Sequence, residues 1–376
     1  MVSPKFFIDK LVGEGIDFFT GVPDSLLKNV CAYITDNIDS NHNIIAANEG
    51  GAMSLAAGHY LATGKPGVVY MQNSGEGNII NPLVSLVDKD VYDIPVLLVI
   101  GWRGCPGVHD EPQHVKQGKV TLTLLETMDV PYTILSHEET AAAAQLDKAI
   151  AEVKAGNIHA LVIEKDTFEL HKLQNVVKNE LSTSREFAIE TVVKNIPADS
   201  VIVSTTGMIS RELFEIRERS GHGHEHDFLT VGSMGHASQI ALGIALEKPD
   251  RRVYCFDGDG ASIMHMGNMA IVAQQQLPNY THIVFNNGAH DSVGGQPTVG
   301  LSIDFCGIAK ALGYKDVISV SNAEQVEEVL KGFQQMDGPL FIEVRVRKGN
   351  RPGLGRPTTT PIQNKESLMK FLAEDE

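Results

Sequence analysis

In the second half of this 376-residue sequence the expected strand RRVYCF leads into Asp257-Gly258-Asp259-Gly260, and a second expected strand, THIVF, ends in Asn286-Asn287-Gly288. Aspartate and asparagine side chains offer the oxygen ligands that a hard divalent cation prefers. The stretch that follows, ASIMHMGNMAIVAQQQ, reads as one helix, and its first free N–H groups, from Gly260 through Ala261 to Ser262, face a phosphate. Taken alone, aspartate and glycine in a strand-to-helix turn are more often a structural loop than a site, because turns select these residues anyway. The chemistry gains weight from position, since both motifs fall at carboxyl ends of strands, where an open α/β sheet binds its ligands.

Other groups stand out in the same way. Glu49 ends the apolar strand 44–47 in an N-E-G-G run, just before a helix expected to begin near Ala52; an acid in a first helical turn is also what the helix dipole favours. Asp24, in Val22-Pro23-Asp24-Ser25, can relay a proton or simply cap a helix starting at Leu26. The stretch from Trp102 to Thr121, read as a loop, concentrates Arg103, His109, His114, Lys116 and Gln117, a local cationic site for a small anion, although a polar surface loop has a similar composition. Its His109-Asp110-Glu111 and His114 are weaker as a second metal site. His222, His224 and His226, in GHGHEHD, have metal-like spacing, but a glycine-rich exposed loop accounts for them and they are given no catalytic role.

These groups are positioned by a chain that is written twice. EGGAMSLAAGHYLATGKPGVVYMQNSG (Glu49 to Gly75) is echoed by MGHASQIALGIALEKPDRRVYCFDGDG (Met234 to Gly260). Gly50, Ala52 and Gly58 fall on Gly235, Ala237 and Gly243, and Lys65-Pro66 and Lys248-Pro249 end the two helices before strands at 68–71 and 253–256. Later strands at 96–100 and 282–285, helices at 138–154 and 322–335, and strands at 161–164 and 340–343 repeat as well. Each half alternates short apolar runs with helical stretches, the pattern of a parallel sheet covered on both faces. The expected fold class is α/β, with two similar doubly wound parallel-sheet domains. The polar stretch 172–185 lacks apolar periodicity and reads as a linker between a domain over 1–171 and a domain over 186–376. The tail from Lys348, rich in Gly, Pro and Thr, is expected to be irregular and to wrap over a domain surface.

Composition narrows the function classes. The chain is long enough for two domains, each with its own core. No apolar run approaches the roughly 20 residues of a membrane span, and the N-terminus reads as an amphipathic helix rather than a secretory signal, so a cytoplasmic protein is expected. The four cysteines form no C-x-x-C and read as small packing residues. A formal net charge of -16 with no basic run argues against nucleic acid or an anionic membrane as partner. A small anionic substrate must then find its donors within the site itself. Neither half carries a clean G-x-G-x-x-G with an acid about 20 residues on, which disfavours the alternative of a duplicated, non-catalytic dinucleotide-binding protein.

With G-D-G, a helix and then N-N, the sequence resembles the thiamine-diphosphate-dependent decarboxylases, in the order pyrimidine-binding domain, then diphosphate-binding domain. The resemblance implies the thiamine-diphosphate-binding fold, with thiamine diphosphate and Mg2+ as cofactors. It implies Asp259, Asn287 and the Ala289 carbonyl as metal ligands, Thr206-Gly207-Met208 as a cofactor-binding turn, Gly232 as a carbonyl contact to the cofactor's amino group, and Met234 as the apolar wedge that bends it. Glu49, which the repeat aligns with Met234, is implied as the partner of a pyrimidine nitrogen, so that the thiazolium carbon becomes a nucleophilic ylide. In such enzymes the pyrimidine domain of one subunit faces the diphosphate domain of another, which makes a homodimer with shared active sites the minimum assembly. The 102–121 stretch, GVPDSLLK, NNGAHDSVGGQPT and the short two-domain length narrow the resemblance to the branch that converts phosphonopyruvate to phosphonoacetaldehyde and carbon dioxide. The sulfopyruvate branch is the alternative. On this reading Arg103, His114 and Gln117 meet the anionic 2-oxo acid, and Asp24 and His114 join Glu49 as catalytic candidates.

Overall fold

The computed structural model describes residues 1–176, 179–333 and 336–373. Val177 and Lys178 of the expected linker, and Gln334 and Gln335 at the end of an expected helix, lie outside the described residues. The chain divides into two compact units, Met1–Val176 with Ser292–Gln296, and Val177–Asp291 with Pro297–Glu376. The start of the expected linker belongs firmly to the first unit, where Asp36 accepts the Gln174 and Asn175 backbone N–H groups and pairs with His171 at 2.9 Å.

In the first unit, strands β1 (Phe19–Gly21), β2 (Asn43–Ile45), β3 (Gly67–Gln72), β4 (Val96–Gly101), β5 (Tyr132–Ile134) and β6 (His159–Ile163) form a six-stranded sheet in the order β2-β1-β3-β4-β6-β5. In the second, β7 (Val201–Ser204), β8 (Asp227–Leu229), β9 (Val253–Gly258), β10 (Tyr280–Asn286), β11 (Asp316–Val320) and β12 (Leu340–Arg345) run in the order β8-β7-β9-β10-β12-β11. Numbered within each unit, the two orders are the same, and every pairing is parallel. The repeat read in the sequence is a repeat of topology.

Burial explains why these runs are strands. Val68 and Tyr70 of β3 enter one apolar cluster with Leu97, Val99, Leu161 and Ile163, while Val69 and Met71 enter another with Leu98, Ile100, Ala160 and Val162. Successive side chains point to opposite faces, so a continuous apolar run is what a sheet covered on both sides requires. Each such Val, Leu or Ile contributes roughly 1.5–3 kcal/mol on burial. The second unit divides its core in the same way, with Tyr254 and Phe256 on one face and Val253 and Cys255 on the other.

Three expectations are corrected. The 102–121 stretch is a loop only to Glu111, because Pro112 at the first helical position starts a helix, Pro112–Thr127. The single helix expected after Gly260 is two, Asp259–Met264 and Gly267–Gln275, with His265 at φ -132° and ψ 50° between them. The tail is irregular only as far as Thr360; Pro361–Ala373 is a helix held by Asn364, which donates to the Asp227 carbonyl at 2.7 Å and accepts from the Leu229 N–H at 2.9 Å. Among the described residues no helix is long and apolar enough to cross a membrane.

Candidate functional site

The singled-out residues gather at the carboxyl ends of the strands, each unit forming its own corner. In the second unit, Thr206-Gly207-Met208 follows β7, Gly232 and Met234 follow β8, Asp259 follows β9, and Asn287 and Ala289 follow β10. Gly207 has φ 99° and ψ -135°, a conformation essentially closed to other residues, and it precedes the helix Met208–Ser220. Met234 is flanked by two residues of positive φ, Ser233 at 49° and Gly235 at 84°, a tight turn that presents its side chain beside Gly260. A Cβ on Gly260 would stand 3.5 Å from Met234 Cε and 3.0 Å from His290 Cε1. His290, a residue the sequence reading passed over, is kept neutral by burial, which pushes its pKa down to about 4.

The two aspartates of D-G-D-G separate cleanly. Asp257 is turned into the fold, where it accepts from the Ser262 hydroxyl at 3.0 Å and meets His282 at 3.4 Å, so the hydroxyl of Ser262 is already engaged. Asp259 is the one at the strand edge. It is 2% exposed, and its carboxylate takes the Thr298 hydroxyl and the Asn287 backbone N–H. Burial opposes its charge and raises its pKa to about 6, against the pull of those donors. Among the described residues Asn287 Oδ1 accepts only a backbone N–H, that of Ala289, at 3.0 Å, and its Nδ2 donates to Asp291 at 2.6 Å. A buried carboxylate, a carboxamide oxygen and a backbone carbonyl at two adjacent strand ends make an all-oxygen donor set that fits magnesium. The glycine at 260, with its missing Cβ walled by Met234 and His290, leaves room for a phosphate beside them.

In the first unit, Glu49 opens the helix Glu49–Thr63 rather than preceding it, with Asn48 as the cap accepting from Gly51 N. It is 4% exposed; Asn78 Nδ2 donates to its Oε2 at 2.6 Å, and Oε1 occupies the space that a Cβ on Gly75 would take. Asp24 follows β1 and is fully buried. Its Oδ2 accepts the Leu26 and Leu27 N–H groups at 2.8 and 3.3 Å, cap-like bonds, while Oδ1 accepts Gln72 Nε2 at 2.6 Å. Burial raises its pKa.

Arg103 follows β4 and meets Asp24 through Ser25, whose hydroxyl accepts from Arg103 Nη1 at 2.7 Å. The same guanidinium forms a fork with Asp110, Nε to Oδ2 at 2.7 Å and Nη2 to Oδ1. The local cationic surplus is therefore smaller than counting charges implies. His114 is buried in the first turn of its helix, Gln117 donates to the Asn73 carbonyl at 2.7 Å, and His109 and Lys116 are exposed. The organiser here is Asn73, at the end of β3, which bonds the backbone of Arg103 in both directions at 2.8 and 3.2 Å and the Thr121 hydroxyl at 2.9 Å. Beside it Glu76 is fully buried, with Thr121 and Gln117 as neighbouring donors. Burial pushes its pKa up to about 8, against the pull of the nearby Thr121 and Gln117. Asn73, Gly75, Glu76 and Asn78 were legible as the N-S-G-E-G-N run that stands in the first half where G-D-G stands in the second. Two of the three GHGHEHD histidines pack on aromatic rings, His224 on Phe214 and His226 on Phe371, and His222 is exposed.

Comparison with known proteins agrees with this arrangement. Residues 3–125 match the N-terminal TPP binding domain of the thiamine pyrophosphate enzymes, and residues 205–344 match their C-terminal TPP binding domain. The chain is 32% identical to the phosphonopyruvate decarboxylase of Streptomyces viridochromogenes, over 99% of this chain and 95% of that protein. It is 32% identical to the phosphonopyruvate decarboxylase of Streptomyces hygroscopicus, over 100% of this chain and 95% of that protein. It is 29% identical to the sulfopyruvate decarboxylase of Methanosarcina acetivorans, over 99% of this chain and 97% of that protein. The alternative of a duplicated dinucleotide-binding protein is thereby set aside. Both halves of the chain match the domains of a single enzyme family, and the chain belongs to the thiamine-pyrophosphate-dependent decarboxylases.

Proposed function

We propose that this protein decarboxylates 3-phosphonopyruvate without oxidation, releasing carbon dioxide and phosphonoacetaldehyde. The observation that carries the substrate is similarity along the whole chain, at 32% identity, to phosphonopyruvate decarboxylases. The likeness to a sulfopyruvate decarboxylase, at 29% over the same span, keeps sulfopyruvate as the second reading.

When bound, thiamine diphosphate supplies a nucleophilic carbon and a sink for the electron pair left when carbon dioxide departs. The chain's own residues do the rest. Asp259, Asn287 and the Ala289 carbonyl would hold the magnesium ion, whose charge would offset that of the diphosphate. Met234 lies against Gly260 as the apolar contact that sets the cofactor's shape. Asn78 holds Oε2 of Glu49 and with it the orientation of the carboxyl, so Oε1 is the atom that would carry a proton toward a bound pyrimidine ring. Asp24, linked through Ser25 to Arg103, is the group available to manage the product proton, and Arg103, His114 and Gln117 face the substrate's anions. A homodimer, with the pyrimidine half of one copy serving the diphosphate half of the other, is the assembly this chemistry calls for.

The test is competition among phosphonopyruvate, sulfopyruvate and pyruvate on the purified protein. A phosphonate can carry a second negative charge near neutral pH and a sulfonate one, so a site built for phosphonate favours it. The expected result is a specificity constant for phosphonopyruvate roughly tenfold or more above that for sulfopyruvate, about 1.4 kcal/mol of transition-state binding, with pyruvate lower still. If sulfopyruvate is turned over best, the second reading replaces the first.

A further inference from the structure

A chain of charged groups stands behind Asn287. Arg185, 4% exposed, forms a fork with the buried Glu212, Nε to Oε2 at 2.8 Å and Nη2 to Oε1 at 3.0 Å, and its Nη1 donates to Asp291 Oδ2 at 3.2 Å. The same Asp291 oxygen accepts Asn287 Nδ2 at 2.6 Å and the Gly349 N–H at 2.9 Å. A carboxylate can only accept, so its contact fixes which end of the Asn287 amide is nitrogen and turns the other end, Oδ1, away from it. Among the described residues Oδ1 accepts a single bond, from the Ala289 N–H, and an amide oxygen has a second lone pair. Burying an Arg-Glu pair is not itself a source of stability, and removing one partner is costly, so its presence behind a ligand calls for an account.

We infer that Arg185 and Asp291 are positioning residues for the metal: anchored by Glu212, they hold the Asn287 side chain with its oxygen toward the cation. The inference rests on the reading of Asn287 as a magnesium ligand. Outer partners of metal ligands commonly govern affinity by 10- to 100-fold without touching the ion. Asp291 also ties this orientation to Gly349, so the segment after β12 closes the same network.

The experiment is a calorimetric titration of Mg2+ into the full chain with saturating thiamine diphosphate, for the parent and for Asp291→Asn, Arg185→Met and Asn287→Ala. Asp291→Asn is isosteric and keeps the shape of the site, so it carries the test if Arg185→Met does not fold. The expected result is a magnesium dissociation constant raised about tenfold or more in Asp291→Asn, with the activity lost at low magnesium returning as the ion is raised. A dissociation constant within about twofold of the parent in Asp291→Asn, while Asn287→Ala binds poorly, overturns the positioning role and leaves the ligand reading intact. Unchanged magnesium affinity in Asn287→Ala removes the ligand reading itself, and the inference with it.

Discussion

In the first unit the residue that follows the second strand, Glu49, places its Oε1 where a Cβ on Gly75 would be; in the second unit the equivalent residue, Met234, places its Cε 3.5 Å from where a Cβ on Gly260 would be. The glycines are equivalent too, since the repeat aligns Gly75 with Gly260. Both units thus keep a side chain from one strand end lying on a glycine from the next, and both keep the strand order that creates the crevice. What differs is the chemistry of that side chain: a carboxyl that can exchange a proton, and a thioether that can only fill space. The next strand ends differ in the same spirit. Asn73 joins β3 to β4 through the Arg103 backbone with a neutral amide, whereas Asp259 joins β9 to β10 through the Asn287 N–H with a carboxylate. On the proposed reading, the two units keep one scaffold and divide the work, proton transfer at one corner and metal and phosphate at the other.

The largest effect should come from the charged corner. Asp259→Ala removes the one carboxylate among the proposed ligands, and activity at ordinary magnesium should be abolished together with a marked loss of thiamine diphosphate affinity. Cofactor titration of the variant checks this, and an unchanged affinity would show that the oxygen ligands lie elsewhere. Glu49→Gln, the matching change at the proton corner, should leave the fold and much of the cofactor affinity in place. It should slow exchange of the thiazolium proton by about 10²–10⁴-fold, because an amide cannot deliver the proton. Deuterium incorporation as fast as in the parent would reduce Glu49 to a helix-start acid. The two variants together separate the corners: one loses binding, the other loses chemistry.

A smaller effect distinguishes the first unit. Glu76 keeps its proton in the folded protein up to about pH 8, against an ordinary value near 4.5 in the unfolded chain. The folded state therefore binds more protons than the unfolded state between those limits, and stability falls as pH rises from about 4.5 to about 8, then levels off. The loss should be on the order of a few kcal/mol. Glu76→Gln should lack this component, so urea unfolding at pH 5 and at pH 8.5 should show the variant gaining on the parent at the higher pH. An equal difference at both pH values would mean that Glu76 is ionised in the fold.

The smallest effects probe the scaffold itself. Gly58 and Gly243 are equivalent, both lie inside helices, and a Cβ on either meets nothing within 4 Å. Alanine at each should stabilise its unit by about 0.5–1 kcal/mol, because glycine costs that much in a helix interior. Thermal unfolding of Gly58→Ala and Gly243→Ala measures both. A gain in one and a loss in the other would mark the losing helix face as one that another copy covers.

The amino-acid order alone carried the duplication, the α/β class and the strand ends on which chemistry sits, because apolar periodicity and glycine turns are local signals that burial then enforces. It also determined that a glutamate and a methionine occupy equivalent places, since a constant offset between the halves is visible without coordinates. Packing supplies the reason that Asp257, and not Asp259, is turned inward, because Ser262 and His282, which engage Asp257, come from other elements. It decided that Arg103 is matched by Asp110, that Asn73 ties β3 to β4, and that Glu76 is buried beside Thr121 and Gln117. The same holds for the Arg185-Asp291-Asn287 chain, whose members are brought together only by folding. Local spacing records what each residue is and which element carries it; charge pairing and desolvation depend on distant neighbours, and those exist only once the chain has packed.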